Sequence, residues 1–478
     1  MNISMILEMA ASAGERPVIT VDGRSLTAAQ LLRLARRAAA EFADSSAVLY
    51  LGANHLAYPV ALFGSVLAAV PFVPLNYRLG EAQLSALLER HPGARVLRPE
   101  DLDALVDVDE TQPDPPEQPA PWDGEAVAAI IYTSGTTSAP KAALLRHKHL
   151  MAYLLNTMEF GSAEESAASL VSVPPYHIAG LTNLLSNLYS GRRVVYLSAF
   201  DPDNWLETVR RERITHAMLV PTMLARIVVA LGDREANAPT LASLAYGGSR
   251  MPRPVLEKAL ALFPETGFVN AYGLTETASS VAVLGPEDHR KAHESQDPEV
   301  RERLGSVGRP LPGVEFEIRS ADNEVLPTGQ TGLVFVRGDQ ISGEYGARTA
   351  LDPDGWFGTR DLGHLDAEGY LFIEGRSDDT IIRGGENIAP AEIEDVILDH
   401  PGISEVAVIG VPDPEWGQRL VAVVVGAGDP EEIKQWVRER LRSSKTPDTI
   451  VFRPELPKTE TGKLLRRNLV AELENPHA

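Results

Sequence analysis

Val127-Ala128-Ala129-Ile130-Ile131-Tyr132-Thr133-Ser134-Gly135-Thr136-Thr137-Ser138-Ala139-Pro140-Lys141 passes without interruption from an apolar run into a loop of hydroxyls, glycine and one cation. The apolar part, residues 127–132, has the length and composition of a buried strand. The polar part can bend its backbone N–H groups and hydroxyls around phosphate oxygens, while Lys141 supplies charge. It is not the loop of P-loop NTPases, because Pro140 stands where that pattern requires glycine before the lysine. A plain polar turn is the competing reading. A strand that opens into an anion-cradling loop belongs to an α/β body, and the flanking sequence supports one.

Toward the N-terminus, residues 26–42 have helical spacing with arginines on one face, and Ala47-Val48-Leu49-Tyr50-Leu51 reads as a short buried strand. A helix is expected over residues 61–69, followed by the strand-like Pro71-Phe72-Val73-Pro74-Leu75. Residues 107–121, rich in Pro, Asp and Glu, predict a solvated surface loop. Beyond the phosphate-type loop the alternation continues through 167–173, 193–197 and 217–220. From Gly332 the chain turns β-rich, with Leu333-Val334-Phe335-Val336 and Gly369-Tyr370-Leu371-Phe372-Ile373. After Arg376 comes a compact unit, with helices expected over 392–398 and 431–441 and strands over 406–409 and 420–425. The expected fold is therefore α/β. A large N-terminal body of packed mixed α/β sheets carries a β-barrel-like subdomain and is followed by a small mobile α+β C-terminal domain. The boundary is read at residues 375–378, giving domains 1–375 and 376–478. No internal repeat is visible.

A chain of 478 residues is too long for one ordinary core. Its formal charge of −22 argues against a nucleic-acid surface, which needs a basic stripe. A polyanion must be held by local charges and backbone N–H groups, not by the overall field. The absence of cysteine excludes disulfides, thiolate metal sites and a cysteine nucleophile. Met1-Asn2-Ile3-Ser4-Met5 lacks the basic start and apolar run of a secretory signal. No apolar stretch reaches the roughly 20 residues needed for a membrane span. Residues 58–73 contain Gly64 and Pro71 and read as a buried helix running into a strand. A soluble cytoplasmic protein is expected.

A second polar loop, Pro457-Lys458-Thr459-Glu460-Thr461-Gly462-Lys463, lies near the other end of the chain. One cation from each end suggests a site closed over a polyanion, with nucleotide-dependent activation as the candidate chemistry. A solvated basic patch with Lys458, Arg466 and Arg467 is the competing reading.

The loop at 132–141 does not stand alone. Together with it, Asn270-Ala271-Tyr272-Gly273-Leu274-Thr275-Glu276, Thr359-Arg360-Asp361-Leu362-Gly363, Gly375-Arg376-Ser377-Asp378-Asp379, Gly384-Gly385-Glu386-Asn387-Ile388 and the Lys463 loop resemble the adenylate-forming superfamily. That group includes acyl- and aryl-CoA synthetases, nonribosomal-peptide adenylation domains and firefly luciferase, and the chain looks most like an acyl-CoA synthetase. The matches occur in the family's order and span nearly the whole chain.

The resemblance implies two half-reactions. A carboxylate attacks the α-phosphate of ATP to give an acyl-adenylate and pyrophosphate, and a thiol then displaces AMP to give a thioester. ATP, Mg²⁺ and coenzyme A, or the phosphopantetheine of a carrier protein, are the implied cofactors and partners. Thr133, Ser134, Gly135, Thr136, Thr137 and Lys141 would handle the pyrophosphate end. Gly248, Ser249, Asn270, Ala271, Tyr272 and Gly273 would surround the nucleoside, with Tyr272 a flat face for adenine and Asn270 an amide for its exocyclic nitrogen. Thr275 suits the α-phosphate, and Glu276 is a hard oxygen ligand suited to Mg²⁺. Asp361 would accept from the ribose hydroxyls, with Arg376 beside it. Lys463 is the catalytic candidate, bridging carboxylate and α-phosphate as charge builds at phosphorus. Asp378 matches the hinge about which the C-terminal domain turns. The turn would exchange Lys463 for Gly384 and Gly385, whose missing side chains suit a narrow pantetheine tunnel. Taken singly, Tyr272 and Asn270 are equally core packing, Glu276 a strand-end carboxylate, Arg376 a surface charge, and Asp361 and Asp378 turn residues.

Pro174-Pro175-Tyr176-His177-Ile178-Ala179-Gly180 resembles the stretch that approaches the reacting carboxylate, although His177 is also readable as a packed histidine. Amino-acid-activating relatives carry an aspartate there. None occurs over 171–181, which disfavours an α-amino acid. The acyl pocket should draw on residues 220–223, including Val220 and Thr222, on Gly247 and Gly248, and on Ala278. Their apolar members suit a hydrophobic acyl or aryl group. Short, branched, medium-chain and aromatic acids all fit. Ser138 and Ala142 depart from the family by replacing common glycines. The chain is also shorter than many relatives, with little room for the insertion of ligases that load carrier proteins. Coenzyme A is the leading acceptor and a carrier protein the alternative. A silent nucleotide-binding scaffold is disfavoured by the joint presence of Lys463, Glu276, Asp361 and Arg376.

Overall fold

Thr27 ends a strand and starts a helix. Its hydroxyl accepts from Gln30 N at 3.1 Å and the Gln30 side chain accepts from Thr27 N at 2.9 Å, a reciprocal cap that launches helix Ala28–Phe42. That helix lies against Ala57–Leu67, all eleven of whose residues are buried. A Cβ at Gly64 would sit 2.8 Å from Ala38 Cβ, so glycine there sets the close approach of the two helices. The computed structural model describes residues 1–474 apart from 13, 108–122, 134–139, 347, 384–385, 415, 442 and 460–461, and apart from the side chains of 386 and 387. Most of the surface loop expected over 107–121 therefore lies outside the described residues.

Two large sheets sandwich these helices. One has nine strands, and its central run Gly267–Leu274, Ser243–Gly247, His216–Leu219, Ala168–Val171, Arg193–Tyr196 and Pro17–Val21 is parallel throughout. The other has seven strands and contains Lys141–Arg146, Val127–Thr133, Phe72–Pro74 and Val48–Tyr50. Val127–Thr133 and Lys141–Arg146 pair antiparallel, so the phosphate-type loop joins two strands of one hairpin. The principal core includes Phe42, Tyr58, Phe63, Trp205 and Phe268 and draws on strands of both sheets.

The barrel-like subdomain takes the form of an open antiparallel sheet of four strands, Glu315–Arg319, Gly332–Arg337, Phe357–Leu365 and Leu371–Arg376, and not of a closed barrel.

Residues beyond Ile381 build their own cores. Strand Ile403–Asp413 pairs with Gly417–Gly426, and side chains alternate between two faces. Val406 and Val408 meet Ile393, Ile397, Ile433 and Val437 from helices Pro390–Leu398 and Pro430–Arg438. Ala407, Ile409 and Val411 meet Leu469 of helix Arg466–Glu474 on the other side. This unit touches the body through an ion pair between Arg250 and Asp395 and through the loop that carries Lys463. Among the described residues no helix is long and apolar enough to cross a membrane.

Candidate active site

Strand Gly267–Leu274 carries Asn270, Ala271, Tyr272 and Gly273 to the end of the nine-stranded sheet. A Cβ at Gly273 would lie 2.0 Å from Ser279 O, so only glycine permits the bulged turn there. The turn Thr275–Thr277 follows, fixed by Leu274 N donating to Thr277 Oγ1 at 2.9 Å. Ala278 and Ser279 then both take positive φ, 52° and 132°. Such backbone costs about 1–3 kcal/mol per residue and persists only when held. Gln340 holds it here, donating to Thr277 O at 2.9 Å and Ser280 O at 2.8 Å, while Thr277 Oγ1 donates to Ser279 O at 2.6 Å.

Tyr272 and Asp361 meet in this region. The tyrosine hydroxyl donates to Asp361 Oδ2 at 2.5 Å, and Arg376 Nη1 donates to Asp361 Oδ1 at 2.9 Å. Asp361 and Arg376 are direct cross-strand partners on the hairpin Phe357–Leu365 and Leu371–Arg376. Burial pushes the Asp361 carboxyl up, and the charge of Arg376, the hydroxyl of Tyr272 and the charge of Lys463 oppose that shift. Burial also pushes the Tyr272 hydroxyl up, and the Asp361 charge adds to it, so Tyr272 remains the donor. Burial works against the Arg376 charge but is outweighed by Asp361, which keeps the guanidinium above its usual range. A carboxylate has lone pairs for further donors after these two. Asn270 Nδ2 donates to Ser306 O at 3.0 Å, which fixes the amide plane beside Tyr272.

Glu276 is buried, and its Oε1 accepts from the Tyr345 hydroxyl. Its carbonyl accepts from Ser342 N at 2.8 Å and Gly343 N at 3.1 Å. Lys141 lies over the ring of the same tyrosine, with Nζ 5.7 Å from the ring centre. Among the described residues no group of three or more acidic or histidine side chains is placed to hold a metal. The single Glu276 carboxylate is a donor of the kind Mg²⁺ takes, since that ion keeps water and phosphate oxygens and uses one or two carboxylates.

Lys463 is exposed on a tight turn in which Thr459 N donates to Lys463 O and Gly462 N to Thr459 O, both at 2.8 Å. The turn abuts Thr222: a Cβ at Gly462 would lie 2.2 Å from Thr222 Cγ2. Asp378 is paired with Arg360 at 3.5 Å, and Arg360 itself has a φ of 65°.

The remaining positions are more dispersed. His177 caps the start of helix Ile178–Ser190, its ring 4.6 Å from that of Tyr176. Val220 caps Pro221–Leu231 and faces Gly248, whose added Cβ would lie 3.8 Å from Val220 Cγ1. Gly248 has a φ of 85°, and Ser249 follows it half-buried. The space beside Gly247 is filled by the carbonyl of Ala271, 2.3 Å from an added Cβ, so this glycine serves strand packing and opens no room for substrate. Ala278 is fully buried. Thr133 faces Lys141 across the hairpin, its hydroxyl 3.4 Å from Lys141 O. Ser134, Gly135, Thr136, Thr137, Gly384 and Gly385 lie outside the described residues. A separate cavity of about 800 Å³ is lined by Arg146, His149, Leu155, Ile341 and Leu351, none of which belongs to the Tyr272–Asp361 cluster.

Sequence reasoning missed Tyr345, Ser342 and Gln340. They reach Glu276 and its turn from 60 or more residues away. No periodicity or local motif links such positions.

Comparison with known proteins places this geometry in context. Residues 7–345 match the family model for AMP-binding enzymes, and residues 392–463 match that for the AMP-binding enzyme C-terminal domain. A feruloyl-CoA synthase of Amycolatopsis is 35% identical over 476 residues, covering 93% of each chain. The fatty acid–[acyl-carrier-protein] ligase ScoC of Streptomyces coeruleorubidus is 32% identical over 493 residues, covering 95% of this chain and 92% of that one. The o-succinylbenzoate CoA synthetase of Bacillus subtilis, solved with its acyl-adenylate intermediate, superimposes with a TM-score of 0.83 at 28% identity over 97% of both chains. That enzyme has also been solved with ATP and a magnesium ion. With the larger model covering more than half of the chain and the second following it in order, this protein belongs to the AMP-binding enzyme family.

Proposed function

We propose that the protein is an AMP-forming acid–thiol ligase, an acyl- or aryl-CoA synthetase acting through an acyl-adenylate. The observation that carries this reading is the approach of the Lys463 turn to Thr222, on the same side as the Tyr272–Asp361–Arg376 cluster whose carboxyl feels the Lys463 charge. In the first half-reaction a carboxylate oxygen bonds to the α-phosphorus as the bond to pyrophosphate breaks. In the second, a thiolate bonds to the acyl carbon as the bond to AMP breaks, and the thiol proton passes to solvent.

Each residue then has a task. Tyr272 offers its ring to adenine, because its hydroxyl is engaged by Asp361. Asp361 and Arg376 hold the ribose, and Thr133, Lys141 and Thr275 contact the phosphates. Bound Mg²⁺ would neutralise phosphate charge, with Glu276 as its protein ligand. Lys463 stabilises charge at the α-phosphate. His177, Val220, Thr222 and Gly248 border the carboxylate and acyl group. Domain 376–478 turns about Asp378 between the half-reactions. We place the enzyme in the cytoplasm, where ATP and coenzyme A are available to it.

A carboxylic-acid panel assayed for pyrophosphate release, with and without coenzyme A, tests the reading. Acid-dependent release with thioester formed only when coenzyme A is present is expected. Release in the absence of any acid, or none with any acid, overturns it. The resemblance to ScoC supports a second acceptor, a carrier-protein phosphopantetheine. Adenylated enzyme offered both thiols separates the two.

A further inference from the structure

The short segment Ser342-Gly343-Glu344-Tyr345 makes two sets of contacts at once. It grips Glu276 three times, through Ser342 N and Gly343 N on the carbonyl at 2.8 and 3.1 Å and through the Tyr345 hydroxyl on Oε1. It also grips strand Lys141–Arg146 along its length. Tyr345 pairs by backbone with Ala143, and the Ser342 hydroxyl donates to Leu144 O. The Glu344 carboxylate receives Arg146 in a fork, Nε to Oε1 at 2.8 Å and Nη2 to Oε2 at 2.7 Å. A fork of this kind restricts orientation as well as distance. The Tyr345 ring completes the set from within the strand, lying 5.7 Å from Lys141 Nζ.

We propose that Tyr345 is a positioning residue for adenylation, which fixes the Glu276 carboxylate and the Lys141 ammonium in one mutual geometry and so presets the separation of metal and phosphate. The proposal rests on the ligase reading above. The hydroxyl and the ring have separable duties. By donating to Oε1, the hydroxyl holds the carboxylate in one rotamer and leaves Oε2 the oxygen to face a divalent cation. Outer contacts of this sort orient a ligand before the metal arrives. The ring face restrains the flexible lysine stem beside the end of the phosphate-type loop. Backbone contacts from Ser342 and Gly343 survive any side-chain change, so substitution at Tyr345 leaves the bracket folded while altering what it holds.

Two variants divide these duties. Tyr345→Phe removes the hydroxyl alone. It is expected to weaken Mn²⁺ binding to the enzyme–ATP complex, read by electron paramagnetic resonance without any acid, by about 10-fold, the usual loss on removing a contact behind a metal ligand. Metal-free ATP affinity should not change. Tyr345→Leu removes the ring as well, and should also weaken metal-free ATP binding by about 2- to 5-fold, as loss of a cation–π contact predicts. Thioester formation from supplied acyl-adenylate should be unchanged in both, because that step attacks the acyl carbon and makes or breaks no bond at phosphorus. Equal Mn²⁺ affinity in wild type and Tyr345→Phe overturns the proposal, as does parallel loss of thioester formation, which marks a merely structural role. Wild-type enzyme that binds Mn²⁺–ATP but releases no pyrophosphate with any acid overturns the ligase reading instead, and the metal-binding comparison still decides Tyr345.

Discussion

Gly462 lies so close to Thr222 that a methyl group on it would sit 2.2 Å from Thr222 Cγ2 and 2.4 Å from its Oγ1. Gly462 also has a φ of 77°, where an L side chain adds about 1–2 kcal/mol of strain. Gly462→Ala should therefore push the lysine turn off the body and lower the adenylation rate by about 10-fold or more, the cost of a slight displacement of a catalytic group. Thioester formation from supplied acyl-adenylate should be retained. Adding Thr222→Gly should recover part of the loss by relieving the collision. No recovery in the double variant would show that contact with Thr222 is not what sets the position of the turn.

Lys463→Ala should abolish adenylate formation, by about 100- to 1000-fold, as expected for one electrostatic contact to a transition state. It should largely spare the thioester step. Unchanged ATP–pyrophosphate exchange in this variant would remove the residue from the mechanism. Asp378→Pro is expected to behave in the opposite way, slowing thioester formation more than adenylation. Equal loss in both steps argues against a hinge at this position.

Tyr272→Phe removes a donor from a buried carboxylate. Leaving that group short of a partner should destabilise the fold by about 1–3 kcal/mol. The Tyr272 hydroxyl is one of the groups that pull the Asp361 carboxyl down against burial. Its loss should move the acid limb of kcat/KM for ATP to higher pH. A pH profile superimposable on that of wild type would mean that Asp361 is not the group titrating there.

Acid should destabilise the molecule. Burial pushes His147, His149, His216 and His289 down from 6.5 to about 4. The unfolded chain takes up those protons first as pH falls, so the stability these histidines contribute is complete above about 6.5 and is lost toward 4. Asp395 has the opposite sign. Burial raises its carboxyl to about 6, and Arg250 only partly offsets this. The folded state therefore binds that proton more tightly, and the contribution fades as pH rises through 6. Burial also lowers His55 and His91 and raises Asp361, so six histidines oppose two carboxyls and the melting temperature should fall between pH 7 and 5. Asp395→Asn should steepen the fall by removing a compensating group. A flat wild-type profile over that interval would refute this balance.

Much of the fold was legible because its signals are local. An apolar strand running into a polar loop, helical spacing along residues 26–42 and the apolar run over residues 406–409 each need only a few neighbouring residues. What failed to show depends on contacts across the chain. Strands Glu315–Arg319 to Leu371–Arg376 announce an antiparallel sheet, but whether it closes depends on stagger and strand number, which alternation does not encode. Residues 26 and 27 belong to a strand and a cap, not to the helix whose spacing they continue. Gly247 looked like room for substrate because a missing side chain reads the same whether a ligand or the Ala271 carbonyl fills the space. The nucleotide cluster was readable as contiguous motifs, whereas Tyr345 and the pair Arg250–Asp395 join positions 69 and 145 residues apart.

One hairpin carries both Asp361–Arg376 and, at its end, Arg360–Asp378. Thermodynamic reciprocity follows in the proposed two-orientation cycle. A nucleotide that favours one setting of the hinge must itself be bound more tightly in that setting, by the same factor. In that proposed cycle the C-terminal domain would act as an effector of nucleotide affinity. Any variant that traps one orientation should change the dissociation constants of ATP and AMP unequally, before any acid or thiol is present.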